Sequence, residues 1–370
     1  MGASAIHCAE DARRLARRRL PWMVFDYIDG AAGDGQGEAS NRQTLRDIRL
    51  MPRVLNNVMQ RSVAVNLFDQ QCELPFGVAP MGMCRLANPV ADRALAEMAA
   101  RHKVPVGVST VSSSSLEDMA KWSEGQAWFQ LYCSGNQGGI DPLLARCKAA
   151  GYETLVVTVD VPEVGRRPRE LRRGFKMPFK MGPSQFFDFA CHPRWSLGTL
   201  AKGAPKLANF GGVHGEFDRT ASRAGADWTL LSEIREKWQG RLVVKGVLNV
   251  EDAKKLVSVG VDAIQVSSHG GRQLNSSLDA ITALRDIRAA LGPDFPLFYD
   301  SGIQSGEDVA KAYALGADFV FLGRVLSFAL AADGRRGLHQ MVDVLHRETD
   351  ITLAQLGVTS MDALGQSNLA

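Results

Sequence analysis

Eight short apolar runs rich in Val, Ile and Phe recur along this chain and constrain its fold more than any other feature. They span residues 76–79, 104–108, 127–132, 154–159, 242–245, 263–266, 296–299 and 319–322. Most are separated by amphipathic helical patterns, at 90–101, 142–150, 251–259, 278–291 and 306–315. Apolar strands that alternate with helices indicate a parallel sheet covered by helices, and eight such units favour a closed (β/α)8 TIM barrel over an open sheet.

The alternation is interrupted once, by a long insertion after the fourth predicted strand. Residues 165–226 hold 12 Lys and Arg against 4 Asp and Glu, together with many aromatic residues, whereas the rest of the chain is net acidic. We interpret this basic aromatic insertion as a lid over the active-site mouth. Contact with an anionic membrane surface is the alternative. Nucleic acid is not expected, because no base-reading motif accompanies the charge.

Composition and length fit one soluble enzyme domain spanning 1–370, in which residues 1–75 form an N-terminal helical cap. The six cysteines lack C-x-x-C spacing, so we expect neither a metal site nor disulfides, and a reducing cytosol is the simpler compartment. The apolar run 20–25 is too short for a signal peptide, and no run reaches the ~18 residues of a membrane span. We therefore expect a cytoplasmic protein, with peripheral contact at the inner face of the membrane as the alternative.

Polar residues collect where the predicted strands end, which is where the active site of such a barrel forms. Each has an ordinary structural role open to it, such as helix capping for Asp160 or solvation for Lys245, but their shared position favours one site. The residues at these strand ends, in strand order, are Pro80, Met81 and Gly82; Ser109; Gln130 and Tyr132; Thr158 and Asp160; Lys245; Ser267 and His269; Asp300; and Gly323 with Arg324.

The loops after the last two strands indicate a phosphorylated cofactor. The segment 300–306 and the pair Gly323-Arg324 stand where barrels of this kind often bind phosphate through backbone amides. The sequence has no G-x-G-x-x-G after a strand and no G-x-x-x-x-G-K-[ST], so neither a nicotinamide dinucleotide nor a nucleoside triphosphate is indicated. FMN fits better.

The stretch 267–274, Ser-Ser-His-Gly-Gly-Arg-Gln-Leu, places a base and a forked cation three residues apart at the end of the sixth strand. It matches the signature S-[NS]-H-G-[GA]-R-Q-L, and the chain thereby resembles the FMN-dependent α-hydroxy acid oxidase and dehydrogenase family. The match covers nearly the whole chain and extends through 20–27, 130–132, 158–160, 165–167, 245–246 and 323–324.

The resemblance implies roles for six residues. His269 takes the proton of the substrate as its α-carbon is oxidised, and Asp160 orients the imidazole and stabilises its cationic form. The substrate carboxylate is held by Arg272, Arg167 and Tyr27. Tyr132 donates a hydrogen bond near the substrate hydroxyl or the developing carbonyl.

The same resemblance implies how FMN is held. Lys245 places positive charge near the flavin N1 and O2 atoms. One departure concerns Gln304, where the family usually has an Arg on the phosphate side, so we expect weaker FMN retention. The remaining cofactor-binding positions are Pro80, Met81, Gly82, Ser109, Gln130, Thr158, Ser267, Asp300, Gly302, Gly323 and Arg324.

Three positions bear on substrate and acceptor through the resemblance. Val111, where glycolate-type oxidases tend to have Trp, and Val164 predict a roomy apolar pocket for a bulky (S)-2-hydroxy acid such as mandelate. Gly82 stands where the oxidases usually carry Ala, so we expect a quinone or similar acceptor in place of O2, and relatives are often tetramers. The alternatives are oxidation of lactate or a long-chain 2-hydroxy acid by O2, a non-oxidative FMN-barrel isomerase, or a non-catalytic flavin-binding protein.

Overall fold

The computed structural model describes residues 5–133, 140–175, 179, 182–210 and 222–370, and it is built around a closed barrel of eight parallel strands. An antiparallel hairpin of β1 (Val65–Leu67) and β2 (Gln70–Cys72) precedes the barrel. The barrel strands pair in chain order and β10 closes onto β3, which confirms the predicted (β/α)8 architecture. They are β3 (Phe76–Met81), β4 (Val106–Ser109), β5 (Ala127–Tyr132), β6 (Thr154–Thr158), β7 (Arg241–Val247), β8 (Ala263–Val266), β9 (Leu297–Tyr299) and β10 (Phe319–Leu322).

Two strand boundaries differ from the sequence pattern for local reasons. The second barrel strand begins at Val106 and not at residue 104, because Pro105 has no N–H for the strand ladder. The fifth extends to Val247 through a bulge at Gly246, whose φ is +101°. This bulge re-aims the end of the strand where the site lies.

Helices surround the barrel. The apolar periodicity located five of them within about two residues, but it did not point to the helices Leu116–Ser123, Trp228–Lys237 and Arg324–Leu356. The helices that follow barrel strands are α4 (Ala91–His102), α5 (Leu116–Ser123), α6 (Ile140–Ala149), α10 (Trp228–Lys237), α11 (Val250–Val259), α12 (Ala280–Leu291), α13 (Gly306–Ala314) and α14 (Arg324–Leu356).

Aromatic side chains fill the end of the barrel opposite the site. Phe68, in the turn of the β1–β2 hairpin, packs edge-on against Phe298 at 5.7 Å between ring centres and lies 6.0 Å from Trp128. Trp128 and Phe298 belong to the main hydrophobic core, and Phe68 is partly buried against it. The hairpin therefore closes this end, and the open end is the one formed by the carboxyl ends of the strands.

The N-terminal segment and the insertion supply the remaining helices. Residues 1–75 contain α1 (Ala9–Arg19), α2 (Trp22–Asp29) and α3 (Gln36–Asp47), and α1 packs along α14. Within 165–226 lie α7 (Pro168–Arg172), α8 (Pro183–Ala190) and α9 (Pro193–Lys202), while 176–178, 180–181 and 211–221 fall outside the described residues. Across the described ranges, no helix combines the length and apolar character needed to traverse a bilayer.

Candidate active site

The predicted site residues meet at one cavity of about 280 Å³ at the carboxyl ends of the strands. Asp160, Ser109, Gln130, Thr158 and Ser267 are not among its lining residues, and the other predicted residues line it. The lining set is Tyr27, Pro80, Met81, Gly82, Val111, Tyr132, Val164, Arg167, Lys245, His269, Arg272, Asp300, Gly302, Gln304, Gly323 and Arg324.

His269 and Asp160 form an ion-pair geometry at the centre of the site. Nδ1 of His269 lies 3.0 Å from Oδ1 and 3.1 Å from Oδ2 of Asp160. Burial lowers the pKa of His269 below its usual range, with Asp160 acting in the opposite direction. Burial resists ionisation of Asp160, but the charges of His269 and Lys245 still hold the pKa of that carboxyl below its usual value. The imidazole of His269 is therefore neutral, and once it is protonated the carboxylate of Asp160 stabilises its positive charge.

Backbone conformation sets the positions of the His269 and Asp160 side chains. His269 adopts a left-handed φ of +56°, and its N–H donates to Oγ of Ser267 at 3.0 Å. At the facing bulge, a Cβ on Gly246 would lie 2.5 Å from Cγ of Asp160. Only glycine leaves room there for the carboxylate in this position.

A buried chain of charges connects Lys245 to the end of β9. The Nζ atom of Lys245 donates to Oγ of Ser267 at 2.7 Å and lies 3.3 Å from Oδ2 of Asp300. Asp300 also accepts hydrogen bonds from Ser267 and Gln265, at 2.7 and 2.5 Å. Asp300 thus orients Lys245, and the lysine charge stays inside the cavity because a carboxylate balances it.

The barrel interior presents polar atoms that fit the edge of a flavin. Oγ of Ser109 donates to Oε1 of Gln130 at 3.0 Å, which orients the amide. Nε2 of Gln130 and Oγ1 of Thr158 are buried and have no hydrogen-bond partner among the described residues. Buried donors and acceptors are normally satisfied, so these two atoms indicate a polar ligand at this point. The ring edge of FMN meets that requirement.

The predicted phosphate side is lined by Gly302, Gln304, Gly323 and Arg324. Gly302 has a φ of +91°, and a Cβ there would lie 2.9 Å from the backbone oxygen of Asn41. Nε2 of Gln304 donates to the oxygen of Ile303 at 3.1 Å.

Arg324 is held by backbone carbonyls of the surrounding loops. Its guanidinium donates to the oxygens of Ile28, Gly30 and Gly270 at 3.2, 2.9 and 2.8 Å. Burial, with the charge of Arg272, lowers its pKa to about 10. These three bonds leave one N–H on each terminal nitrogen for another ligand.

Two arginines and a glutamate form a second charged group, which we call the arginine clamp (Arg167, Glu170 and Arg272). Nη2 of Arg272 lies 2.9 Å and Nη1 of Arg167 lies 3.5 Å from Oε1 of Glu170. Nη1 of Arg272 also donates to the backbone oxygens of Tyr27 and Gly30, at 2.9 and 2.7 Å. Burial, with the charge of Arg272, lowers the pKa of Arg167 to about 10. The clamp carries one net positive charge, which matches a monocarboxylate.

Sequence reasoning missed Glu170 and Arg223. Glu170 lies three residues after Arg167 in the first turn of α7, a helical spacing that signals an i,i+3 pair. Arg223 lines the cavity from the far end of the insertion, and no motif marks it. Tyr27 was predicted as a site residue, but the stacking of its ring on that of Phe175, with 4.4 Å between ring centres, was not predicted.

The wall beside the clamp is apolar. Val111, Val161 and Val164 line it, and Gly82 lies against Val111. A Cβ on Gly82 would come within 2.5 Å of Cγ2 of Val111, so these two positions share one limited space.

Comparison with known proteins agrees with this arrangement. The family model described as FMN-dependent dehydrogenase matches residues 16–370. An L-lactate dehydrogenase from Pseudomonas syringae pv. syringae is 38% identical over 98% of each chain, and the (S)-mandelate dehydrogenase from Pseudomonas putida is 35% identical over 97% of this chain and 93% of that one. The crystal structure of the monotopic membrane protein (S)-mandelate dehydrogenase superposes with a TM-score of 0.94 at 34% identity, covering 99% and 100% of the two chains. The closed barrel, the buried polar atoms that lack partners among the described residues, the His–Asp pair and the length of the match lead to one conclusion: the chain belongs to the FMN-dependent α-hydroxy acid dehydrogenase family, with FMN as its cofactor.

Proposed function

We propose that this enzyme oxidises an (S)-2-hydroxy acid with a bulky or aromatic side chain, such as mandelate, to the 2-oxo acid and passes the electrons to a quinone-type acceptor. The observation that carries the proposal is the shared cavity. His269, which is bonded to Asp160, the two arginines of the arginine clamp and an apolar wall all line it. This set provides a base, a carboxylate site and room for a large substituent.

His269 acts as the base of the reaction. Burial keeps its imidazole neutral and able to accept a proton, and Asp160 stabilises the cation that results. The arginine clamp and the Tyr27 hydroxyl hold the substrate carboxylate, and Tyr132 donates to the oxygen on the α-carbon. Bound FMN supplies the two-electron oxidant.

The cofactor is held along the barrel mouth. Pro80, Met81 and Gly82 would lie along the ring of bound FMN, and Lys245, fixed by Asp300, would supply positive charge at its N1 and O2 side. Gln130 and Thr158, supported by Ser109 and Ser267, would bond its polar edge, and Gly302, Gln304, Gly323 and Arg324 would hold its phosphate.

L-Lactate is the second candidate substrate, because the Pseudomonas syringae relative is named for it. The deciding measurement is kcat/KM for (S)-mandelate, L-lactate and glycolate with an artificial quinone acceptor. The proposal expects mandelate to be preferred, and a higher value for glycolate would reject the roomy pocket. The names of the relatives, dehydrogenase and oxidase, favour oxidation over an isomerase or a non-catalytic flavoprotein.

The identity of the electron acceptor is tested by comparing turnover with oxygen and with a quinone. The proposal expects slow peroxide formation in air and fast turnover with a soluble quinone. Fast peroxide production with (S)-mandelate would reverse the assignment. A homotetramer, also part of the proposal, is checked by light scattering of the purified enzyme.

The insertion has two faces, which supports membrane contact. Trp195 is buried and donates through Nε1 to the oxygen of Leu86 at 2.7 Å, whereas Phe186, Phe187, Leu197 and Leu200 are 61–78% exposed. Exposed apolar side chains on a basic segment suit an anionic bilayer surface. The Phe187→Glu variant should lose co-sedimentation with vesicles of anionic lipid. The control is Met59→Glu, which changes an apolar residue that is 88% exposed elsewhere. Equal binding by both variants would exclude this face.

A further inference from the structure

The end of the insertion returns to the active site through Arg223. Its N–H donates to the oxygen of Pro162 at 2.8 Å, two residues after Asp160. The residue is only 6% exposed, and it lines the same cavity as His269. An arginine from the insertion therefore lies inside the catalytic cavity, although the proposed reaction assigns it no part.

Arg223 contacts Tyr132 through its guanidinium. The Cζ atom lies over the Tyr132 ring, 5.0 Å from the ring centre. The ring face carries partial negative charge, so a cation placed over it is attracted, and more strongly where water is excluded. The backbone of Tyr132 is held separately, because its N–H donates to Oγ1 of Thr110 at 3.1 Å. The hydrogen bond to Thr110 holds the backbone of Tyr132 in strand β5, and Arg223 contacts its ring.

The charge of Arg223 also acts on the phenol. Burial, followed by the negative charge of Asp160, raises the pKa of Tyr132, and Arg223 works against both. A hydroxyl beside a cation is a stronger hydrogen-bond donor than one beside a carboxylate alone. Negative charge that develops on an acceptor oxygen is better stabilised by such a donor when its position is set in advance.

We propose that Arg223 is a positioning residue that fixes the Tyr132 ring in the cavity. Turnover then depends on the position of residues 222–226 relative to the cavity. The inference rests on the proposed function, because it needs Tyr132 to donate to the substrate oxygen. It adds to that function a contact between the insertion and the reacting centre.

The test is a double-mutant cycle in the FMN-loaded enzyme. Arg223→Met, Tyr132→Phe and the double variant are compared for kcat and KM with (S)-mandelate and L-lactate. Arg223→Met should lower kcat roughly tenfold and leave KM within about twofold, because it weakens a donor used during the reaction. In the Tyr132→Phe background it should cost nothing further, and Arg223→Lys should restore part of the loss. Arg285→Met, an exposed arginine on α12, is the matched control.

An equal loss in both backgrounds, or a loss confined to KM, overturns the proposal. If wild type and Arg285→Met oxidise no 2-hydroxy acid, the proposed function fails instead. The role of Arg223 in fixing the Tyr132 ring is then decided by the denaturant midpoints of wild type, Arg223→Met, Tyr132→Leu and their double variant, because Tyr132→Phe keeps the ring that Arg223 contacts. Non-additive midpoints support the coupling, and additive midpoints overturn it.

Discussion

Nδ1 of His269 lies 3.0 Å from Oδ1 of Asp160, although the two residues are 109 positions apart in the chain. The pair joins the ends of β6 and β8 across the intervening β7, whose Gly246 leaves the space between them open. The proton affinity of His269, the proposed base, thus depends on three neighbouring strands together.

Asp160→Asn should slow turnover and shift its pH dependence. Asp160 raises the pKa of His269 against the larger effect of burial, so removing its charge lowers that pKa further. Because the base works in its neutral form, kcat/KM falls as pH drops through this pKa, and the acid limb should move to lower pH. We expect kcat to fall about a hundredfold, since the imidazolium loses its partner. Steady-state pH profiles check this, with exposed Asp286→Asn as control; an acid limb that moves to higher pH would contradict it.

Gly246→Ala should impair catalysis more than its backbone strain alone explains. The new Cβ would displace the Asp160 carboxylate from its place beside the imidazole. Gly260→Ala is the matched control, because Gly260 also has a positive φ, of +82°, but has nothing within 4 Å of the added Cβ. Both variants should lose similar stability in thermal melts. Only Gly246→Ala should lose kcat, by roughly tenfold or more; equal kcat values would show that Asp160 is not displaced.

Gln304→Arg should tighten FMN binding. The side chain lines the predicted phosphate side of the cavity and, among the described residues, donates only to the neighbouring backbone oxygen of Ile303. A guanidinium there adds a charge-assisted hydrogen bond, which should lower the FMN dissociation constant roughly tenfold. Titration of apoprotein followed by flavin fluorescence measures this constant, and exposed Gln239→Arg controls for net charge. An unchanged constant for Gln304→Arg would place the phosphate elsewhere.

Gly82→Ala should lower kcat/KM for mandelate when made alone, and it should be tolerated when Val111 is replaced by a smaller residue. The added methyl meets Cγ2 of Val111, which must move and narrow the apolar wall. We expect kcat/KM for mandelate to fall about tenfold and to recover in Gly82→Ala/Val111→Ala. Comparison of the two variants against Val111→Ala alone checks the coupling. Additive losses would mean that the two positions do not share space.

Glu170→Gln should strengthen the binding of unreactive carboxylates. Glu170 neutralises one of the two cations of the arginine clamp, so its removal raises the positive potential where the substrate carboxylate is held. We expect the dissociation constant of a 2-oxo acid product to fall severalfold, while kcat drops because Arg272 loses an orienting bond. Flavin difference spectra report the binding. Weaker binding would show that Glu170 is needed mainly to orient the clamp.

The barrel was predictable because its cause is local. Each strand is a short apolar run and most helices show amphipathic periodicity, so the pattern of 76–79 through 319–322 predicted β3 to β10 directly. The periodicity did not point to α5, α10 or α14, although it located α6, α11 and α13, which have only nine or ten residues, so helix length alone does not decide which helices the pattern reveals. Pro105 and Gly246 moved the strand ends through backbone effects that hydrophobicity does not register.

The sequence by itself determined the barrel and the set of polar residues at its open end, because side chains that end parallel strands must share one rim. Tertiary structure decided how these residues interact, and it added two that the sequence had not singled out: Glu170 lies beside two arginines and Arg223 lies over Tyr132, while Asp300 pairs with Lys245. These contacts join distant segments or depend on the angle at which a loop leaves its strand. That angle is set by the packing of the whole domain, and no local pattern encodes it.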